Sequence, residues 1–265
     1  VNPDNDSVAV LNPDSSSVEQ IISLTGAGQG RGIAPRSVAV DGFGQVWITA
    51  HEDDSVIVLS AATGSWLETI ETGYGSAPAH IVASPDGNEI FVTLDARGAQ
   101  NPGNGSVLRF DAASRSLTHT RELGPTPRAL AQVGDRLFVS RFISGPDHGE
   151  IWELSANNLN VVRTISLQRD RGPDDNNIGR GLPNYISGLA ISPDGKELWF
   201  SAVKANTQRG EVFGNPATHD STVRAMVGII DLAQNREIAV DALGGESRRI
   251  DIDNSDSPTA ITFSD

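Results

Sequence analysis

One short unit is written repeatedly along this chain, and that repetition limits what it can fold into more than any single residue does. A strand-like run ending in an aromatic residue, an apolar residue and then Thr or Ser occurs four times. It reads Trp47-Ile48-Thr49, Phe91-Val92-Thr93, Phe138-Val139-Ser140 and Trp199-Phe200-Ser201. A tight polar turn precedes each: Asp41-Gly42-Phe43-Gly44, Ser84-Pro85-Asp86-Gly87, Gly134-Asp135 and Ser192-Pro193-Asp194-Gly195. A second alternating strand follows each, over 55–60, 106–111, 150–155 and 226–231. A unit that cannot bury its own apolar faces must stack on copies of itself, so the repeat sets the architecture.

Within the best-formed unit, strands are expected at 37–41, 45–50, 54–60 and 66–71, from period-2 alternation and Val, Ile, Trp and Thr enrichment between Gly, Asp, Asn and Pro. No stretch carries a helical period. The expected fold is all-β, a β-propeller of four-stranded antiparallel meander blades. Pro35, Pro78, Pro127 and Pro258 open successive units, and their closest spacing matches one blade of about 40–45 residues. Pro183 falls too early to be the missing anchor and reads as a displaced loop proline. The divisions are a partial blade at 1–34, blades at 35–77, 78–126, 127–182 and 183–257, and the first strand of a further blade at 258–265. This inventory reads as part of a larger ring of about six to eight blades, or as a five-bladed ring in which 259–264 joins 6–24.

The repeat resembles the YVTN-type β-propeller family of bacterial and archaeal surface and periplasmic proteins, whose blades carry that tetrapeptide at the end of the second strand. The fourth letter departs, with Ala50, Leu94, Arg141 and Ala202 where the family prefers Asn. Val1-Asn2 keeps it, followed by Pro3-Asp4-Asn5-Asp6-Ser7-Val8, which is similar to the family's connection into the third strand. The resemblance implies a fold and a periplasmic or extracellular setting; it does not imply one activity, because such propellers host many.

Composition narrows the partners. Among 265 residues there is no cysteine, which excludes disulfides, zinc–cysteine sites, iron–sulfur clusters and covalently attached c-type haem within the chain. No window is apolar for the roughly 18 residues a membrane span needs. No signal peptide is visible, as expected for a processed or internal segment. The net charge of −14, from 34 acidic and 20 basic residues, repels phosphate backbones. Nucleic acid is not an expected partner; the charge reads as solubility or as attraction to a basic protein.

In a meander, alternate connections share one end of the sheet. The short first-to-second and third-to-fourth turns share one face, while the longer second-to-third loops at 51–53, 95–105, 142–149 and 204–224 share the other with the blade crossings at 168–184 and 242–257. Long loops in a compact domain tend to carry function. The expected ligand- or partner-binding residues at this channel mouth and its loops are Arg36, His51, His80, Arg128, Arg141, His148 and His219. Two guanidiniums and an imidazole at the mouth suit a carboxylate or another small anion, and the same arginines equally read as loop braces. The histidines show no local metal-ligand spacing. Calcium is an open reading for Asp170, Asp174 and Asp175 in one loop and Asp251 and Asp253 in another, although Asp and Asn are also ordinary turn residues.

Catalytic motifs are absent: no Gly-x-Ser-x-Gly, no phosphate-binding loop, no His-Glu-x-x-His. The glycine-rich Gly26-Ala27-Gly28-Gln29-Gly30-Arg31-Gly32 precedes Pro35 and a strand rather than a helix, so it reads as a blade crossing. The function expected is a non-catalytic extracytoplasmic scaffold for protein docking or ligand recognition through the loop-rich face. The segments 219–231 and 249–253 resemble a subset of the family that accompanies a di-haem cytochrome c peroxidase-like module. That resemblance implies a c-type cytochrome partner or companion domain, with haem held there. The alternative is a metal-assisted, lactonase-like hydrolase with ligands drawn from Glu52, Asp53, Asp95, Asp147 and Asn184 at the channel mouth.

Overall fold

The computed structural model describes residues 1–25, 32–95, 103–171, 180–207, 218–238, 249–252 and 258–263, with the side chains of 219 and 220 excepted. The chain forms two compact units, Val1–Leu130 and Ala131–Asp265. The first holds a two-stranded sheet, β1 (Ser7–Asn12) with β2 (Ser17–Ser23), and two four-stranded sheets. One of these runs β3 (Pro35–Val40), β4 (Gln45–Ala50), β5 (Ser55–Ser60), β6 (Trp66–Glu71). The other runs β7 (Pro78–Ala83), β8 (Glu89–Leu94), β9 (Ser106–Asp111), β10 (Ser116–Glu122). A third sheet opens with β11 (Pro127–Val133), followed by β12 (Arg136–Arg141), β13 (Gly149–Ser155) and β14 (Val161–Leu167). The last contains β15 (Leu182–Ile191), β16 (Glu197–Ala205), β17 (Val223–Asp231), β18 (Arg236–Glu237) and β19 (Ile250–Ile252). The described pairings are antiparallel, and among the described residues helix is confined to a 3-10 turn at Pro3–Asn5 and one turn, α1 (His219–Thr222). The meander blades expected from the repeat are therefore present.

Turn chemistry fixes the register. In both Ser-Pro-Asp-Gly turns the serine hydroxyl donates to the aspartate (Ser84 to Asp86, 2.6 Å; Ser192 to Asp194, 2.7 Å) and accepts the backbone N–H of Glu89 or Glu197. Gly87 and Gly195 supply the left-handed φ, 72° and 70°, that lets the strand reverse. Asp41 does the same work with its carboxylate, accepting from Phe43 and Gln45 N–H at 2.9 and 2.8 Å. Its second oxygen accepts from the Trp47 indole at 2.8 Å, tying the turn to the buried strand.

The repeated tripeptide then sets how sheets pack. Side chains alternate along a strand, so its first and third letters face one neighbour and its second letter faces the other. Trp47 joins Val56, Val58, Ile81 and Phe110 in one core, with its ring centroid 5.8 Å from that of Phe110. Ile48 joins Ile57, Leu59, Val8 and Leu24 in the core on the opposite side. The third-letter side chains are buried, and those of the first three repeats reach the next sheet's first strand: Thr93 donates to the Arg128 carbonyl at 2.6 Å, Ser140 to the Ile186 carbonyl at 2.8 Å and Thr49 to the Ala79 carbonyl at 3.5 Å, while the Ser201 hydroxyl has no hydrogen-bond partner among the described residues. Thr or Ser recurs there because a hydroxyl packs like a small apolar group while stapling two sheets.

Aspartates close the crossings. Asp6 accepts the Ile33 and Ala34 N–H groups at 3.0 and 2.7 Å. Asp54, at the equivalent position before β5, accepts those of Gly75 and Ala77 at 2.7 and 2.9 Å. Both sit at positive φ (45° and 54°), a conformation Asp tolerates better than most residues.

Three expectations are corrected. Pro183 lies inside β15, paired with Lys204, and is not a loop residue. A residue at positive φ precedes each strand opening, as Ala34, Ala77 and Thr126 do before their prolines; Tyr185 (φ 50°) does so before Ile186. Ile186 is therefore the anchor of this sheet, with Pro183 on an extension beyond a bulge. Second, the segment 258–263 forms no strand. It lies against β15, with Ser187 donating to the Pro258 carbonyl and Phe263 edge-on to Trp199 at 5.5 Å, but no second strand is described beside it to complete a ladder. Third, the crossing expected at 242–257 contains strand at 250–252, while 242–248 and 253–257 lie outside the described residues. β18 pairs with β17 at Ile230 and Asp231, and β19 resumes at Ala225–Val227. The remainder of the glycine-rich run at 26–31 lies outside the described residues.

Replacing Asp54 by Ala removes both acceptors from the Gly75 and Ala77 amides and leaves a β-carbon at positive φ. Urea unfolding should show a loss of about 2–3 kcal/mol, with Asp54→Asn losing less because one acceptor oxygen and left-handed tolerance remain.

Candidate functional site

The looped ends of the sheets in the first unit gather five of the polar side chains singled out by sequence: Arg36, His51, His80, Asp95 and Arg128. Their meeting follows from the repeat. Arg36 comes one residue after its anchor proline, where the ladder with β4 shifts register between Pro35 and Val38. Arg128 occupies the same place after Pro127. A bulge re-aims one side chain out of the regular alternation, which is why such residues stand at sheet rims. His80 follows the corresponding bulge in β7 and pairs opposite Thr93, whose hydroxyl accepts the His80 N–H at 3.1 Å. His51 and Asp95 are equivalent too, each following a second strand and each donating its N–H to the residue before an anchor proline, Ala34 at 3.4 Å and Ala77 at 3.1 Å.

Their electrostatics differ. Arg128 Nη2 is ion-paired with Asp95 Oδ2, with side-chain exposures of 19% and 13%, so this pair is largely withdrawn from solvent. Burial depresses the Arg128 pKa, and Arg36 adds to the depression while Asp95 opposes it. Arg36 is exposed and makes no hydrogen bond or ion pair among the described residues. His51 directs Nδ1 at the Pro78 carbonyl, 3.3 Å away, which favours a proton on that nitrogen. Burial lowers the His51 pKa, and the charges of Arg36 and Arg128 lower it further against the opposing pull of the Pro78 carbonyl and Asp95. His80 is half-buried, its Nδ1 is shielded from solvent without a hydrogen-bond partner, and burial beside Arg128 lowers its pKa to about 4. Those five side chains therefore set two guanidiniums and two neutral imidazoles against the Asp95 carboxylate.

The other expected residues lie in the second unit. Arg141 Nη1 pairs with Glu150 at 2.7 Å while its Nε donates to the Ile143 carbonyl at 2.9 Å, so it braces its own loop. His148 Nε2 meets the other Glu150 oxygen at 3.2 Å. His219 opens α1, and its side chain lies outside the described atoms. Two of the calcium candidates do converge, although from different loops. Asp170 and Asp251 both bind the Lys204 ammonium, at 3.1 and 2.5 Å, and that side chain is 1% exposed. Asp174, Asp175 and Asp253 lie outside the described residues. Among the described residues no group of three or more His, Asp or Glu side chains is placed to hold a metal ion. The potential hydrolase ligands Asp53 and Asn184 also serve the loops, accepting from the Ser55 hydroxyl at 3.0 Å and the Ser144 N–H at 2.9 Å.

Sequence reading missed Glu150 and Lys204. Glu150 carries a faint signal, as an acid entering a strand beside a loop that holds Arg141 and His148. Lys204 carries a clearer one: it is a lysine continuing a second strand whose neighbours are apolar, a place where a charge needs a partner.

No family model matches the chain, and no curated protein matches it. Solved structures do. The chain is similar to Kuenenia stuttgartiensis hydrazine synthase (TM-score 0.67, 16% identity, covering 89% of this chain and 60% of that one). It is similar also to U3-55K (TM-score 0.59, 13% identity, 98% and 64% covered). A third likeness is to a putative 6-phosphogluconolactonase from Bacteroides uniformis (TM-score 0.58, 16% identity, 96% and 66% covered). The fold is thus all-β and of the β-propeller class. The chain spans less than two thirds of the length of each of these. No helix among the described residues is long and apolar enough to cross a membrane.

His80 makes the fold sensitive to acid. Its folded pKa of about 4 lies below the 6.5 of an ordinary histidine, so the unfolded chain binds the proton first, and the stability that neutral His80 contributes is lost as pH falls from about 6.5 to 4. Chemical denaturation at pH 7 and pH 4.5 should show an acid-dependent loss that is smaller by on the order of 2 kcal/mol in His80→Gln than in the wild type, the remainder including the share of His51. A second measurement separates the two arginines. Arg128→Ala leaves the Asp95 carboxylate shielded and unpaired and should cost about 3 kcal/mol, whereas Arg36→Gln should leave the melting temperature unchanged.

Proposed function

We propose that this chain is a non-catalytic recognition domain of the YVTN-repeat type, working in the periplasm or outside the cell. It docks a protein partner, or a companion domain of its own polypeptide, through the looped ends of its blades. One observation carries the reading: several of the charged side chains at those ends are held in place by internal partners. Arg141 and His148 share Glu150, Asp170 and Asp251 share Lys204, and Asp95 holds Arg128. Charges fixed before a ligand arrives lose little freedom on binding, which favours recognition, and loops mounted on stacked sheets keep that pattern rigid.

The partner that the sequence resemblance favours is a c-type cytochrome module. A chain without cysteine offers no thiol for covalent haem attachment, so haem would sit in that module and this chain would position it. The −14 net charge suits a basic docking face on the partner. The hydrolase reading needs several acidic ligands converging on one ion, and Asp95, its best-placed candidate, is engaged by Arg128.

Affinity purification of the tagged chain from its native extract, followed by an absorbance scan and elemental analysis, tests this. The expected eluate holds a stoichiometric haem protein with a Soret band, and the chain alone carries no stoichiometric calcium, zinc or copper. Tightly held metal together with lactone hydrolysis by the chain alone would replace docking with the hydrolase reading.

A further inference from the structure

Arg36 and Arg128, each following the proline that opens its sheet, are equivalent by position but not by environment. Arg128 receives the carboxylate of the residue that follows the second strand of the sheet before it, Asp95. For Arg36 the preceding sheet is the β1–β2 pair. Asn2 bridges to Ser7 just as Ala50 pairs with Ser55 and Leu94 with Ser106, so the residue equivalent to Asp95 is Pro3. Pro3 has no side-chain oxygen to give. Of the two carboxylates in that connection, Asp6 is already accepting the Ile33 and Ala34 amides, and Asp4, in the 3-10 turn, makes no ion pair with Arg36. Arg36 is thus left exposed, without an ion pair or hydrogen bond among the described residues, at a place where the same fold elsewhere seats a carboxylate.

We infer that Arg36, flanked by His51 and Arg128, is a binding site for a carboxylate group supplied from outside this chain. The geometry favours that class for three reasons. The Asp95–Arg128 pair shows which anion an arginine at this position accepts. A guanidinium matches a planar carboxylate with two parallel N–H bonds. The neighbouring Arg128, already neutralised by Asp95, leaves one net positive charge for one incoming negative charge. Phosphate, which concentrates up to two negative charges on one group, would bring both of them near the Asp95 carboxylate, whereas a carboxylate group brings only one. His51, with Nδ1 occupied by the Pro78 carbonyl, leaves Nε2 for the ligand and becomes the reporter: a bound carboxylate favours its protonated form. The charged groups acting on it are Arg36, Arg128 and Asp95.

This site deepens the recognition reading and rests on it for a natural ligand, but it can be tested without any partner. The His51 ring resonances of the isotope-labelled chain are followed by NMR during titration with succinate, with a short poly-glutamate peptide, with inorganic phosphate, and with sodium chloride at matched ionic strength. Saturable shifts with succinate or the peptide, weakened at least about tenfold in Arg36→Gln and partly kept in Arg36→Lys, are the expected result. Saturation by succinate identifies a free small carboxylate as sufficient; saturation by the peptide alone identifies an acidic segment of a partner protein. Shifts that only follow ionic strength, an Arg36→Gln variant that binds like the wild type, or tighter binding of phosphate than of either carboxylate would each overturn the site. Should that happen while the haem partner still co-purifies, the docking role stands and only the carboxylate site falls.

Discussion

A sheet with apolar side chains on both faces cannot stand alone in water. In β4 and β5, Trp47, Val56 and Val58 bury toward one neighbour while Ile48, Ile57 and Leu59 bury toward the other, all essentially inaccessible to solvent. Covering one face leaves the other exposed, so stacking must continue from sheet to sheet. The β1–β2 pair shows the cost of an uncovered face: Leu11, Val18 and Ile21, on the side away from β3–β6, are more than half exposed. Burial alone sets no register between neighbouring sheets. The third-letter hydroxyls of Thr93 and Ser140 supply that register, because a hydrogen bond to one particular carbonyl selects one sliding position among many of similar apolar contact.

Most of this was legible because each local signal has a local cause. Alternation gave the strands, and Ser-Pro-Asp-Gly gave turns whose geometry repeats closely in the two copies. Misreadings arose where one residue type stood in for another. Proline marks a strand opening only because its φ is compatible with that place, and Ile186 meets the same requirement once Tyr185 has turned the chain, so searching for proline put the boundary in the wrong place. The split fourth strand was invisible for a related reason: Arg236–Glu237 and Ile250–Ile252 are too short to show a period, and only the shared partner β17 reveals them as two halves of one position.

At the rim, position was readable and pairing was not. Arg36, His51, His80 and Arg128 occupy recurring places in the repeat, so aligning the units brings them to the same end of their sheets. Which arginine is neutralised depends on the residue after the preceding second strand, aspartate in one case and proline in the other. One such substitution separates a structural ion pair from an available guanidinium. The repeat thereby yields two environments from one backbone position, a bracing ion pair at Arg128 and an exposed guanidinium at Arg36.

Lys204 bears on how the second unit keeps its own looped end in shape. Its ammonium lies between Asp170 from the approach to β15 and Asp251 from β19, uniting segments far apart in the chain. Many folds gather such carboxylates around a dissolved ion and so inherit a dependence on its supply. Here the counter-charge is built into a strand. Neither chelation nor dilution can strip it away, and its stoichiometry is guaranteed by translation.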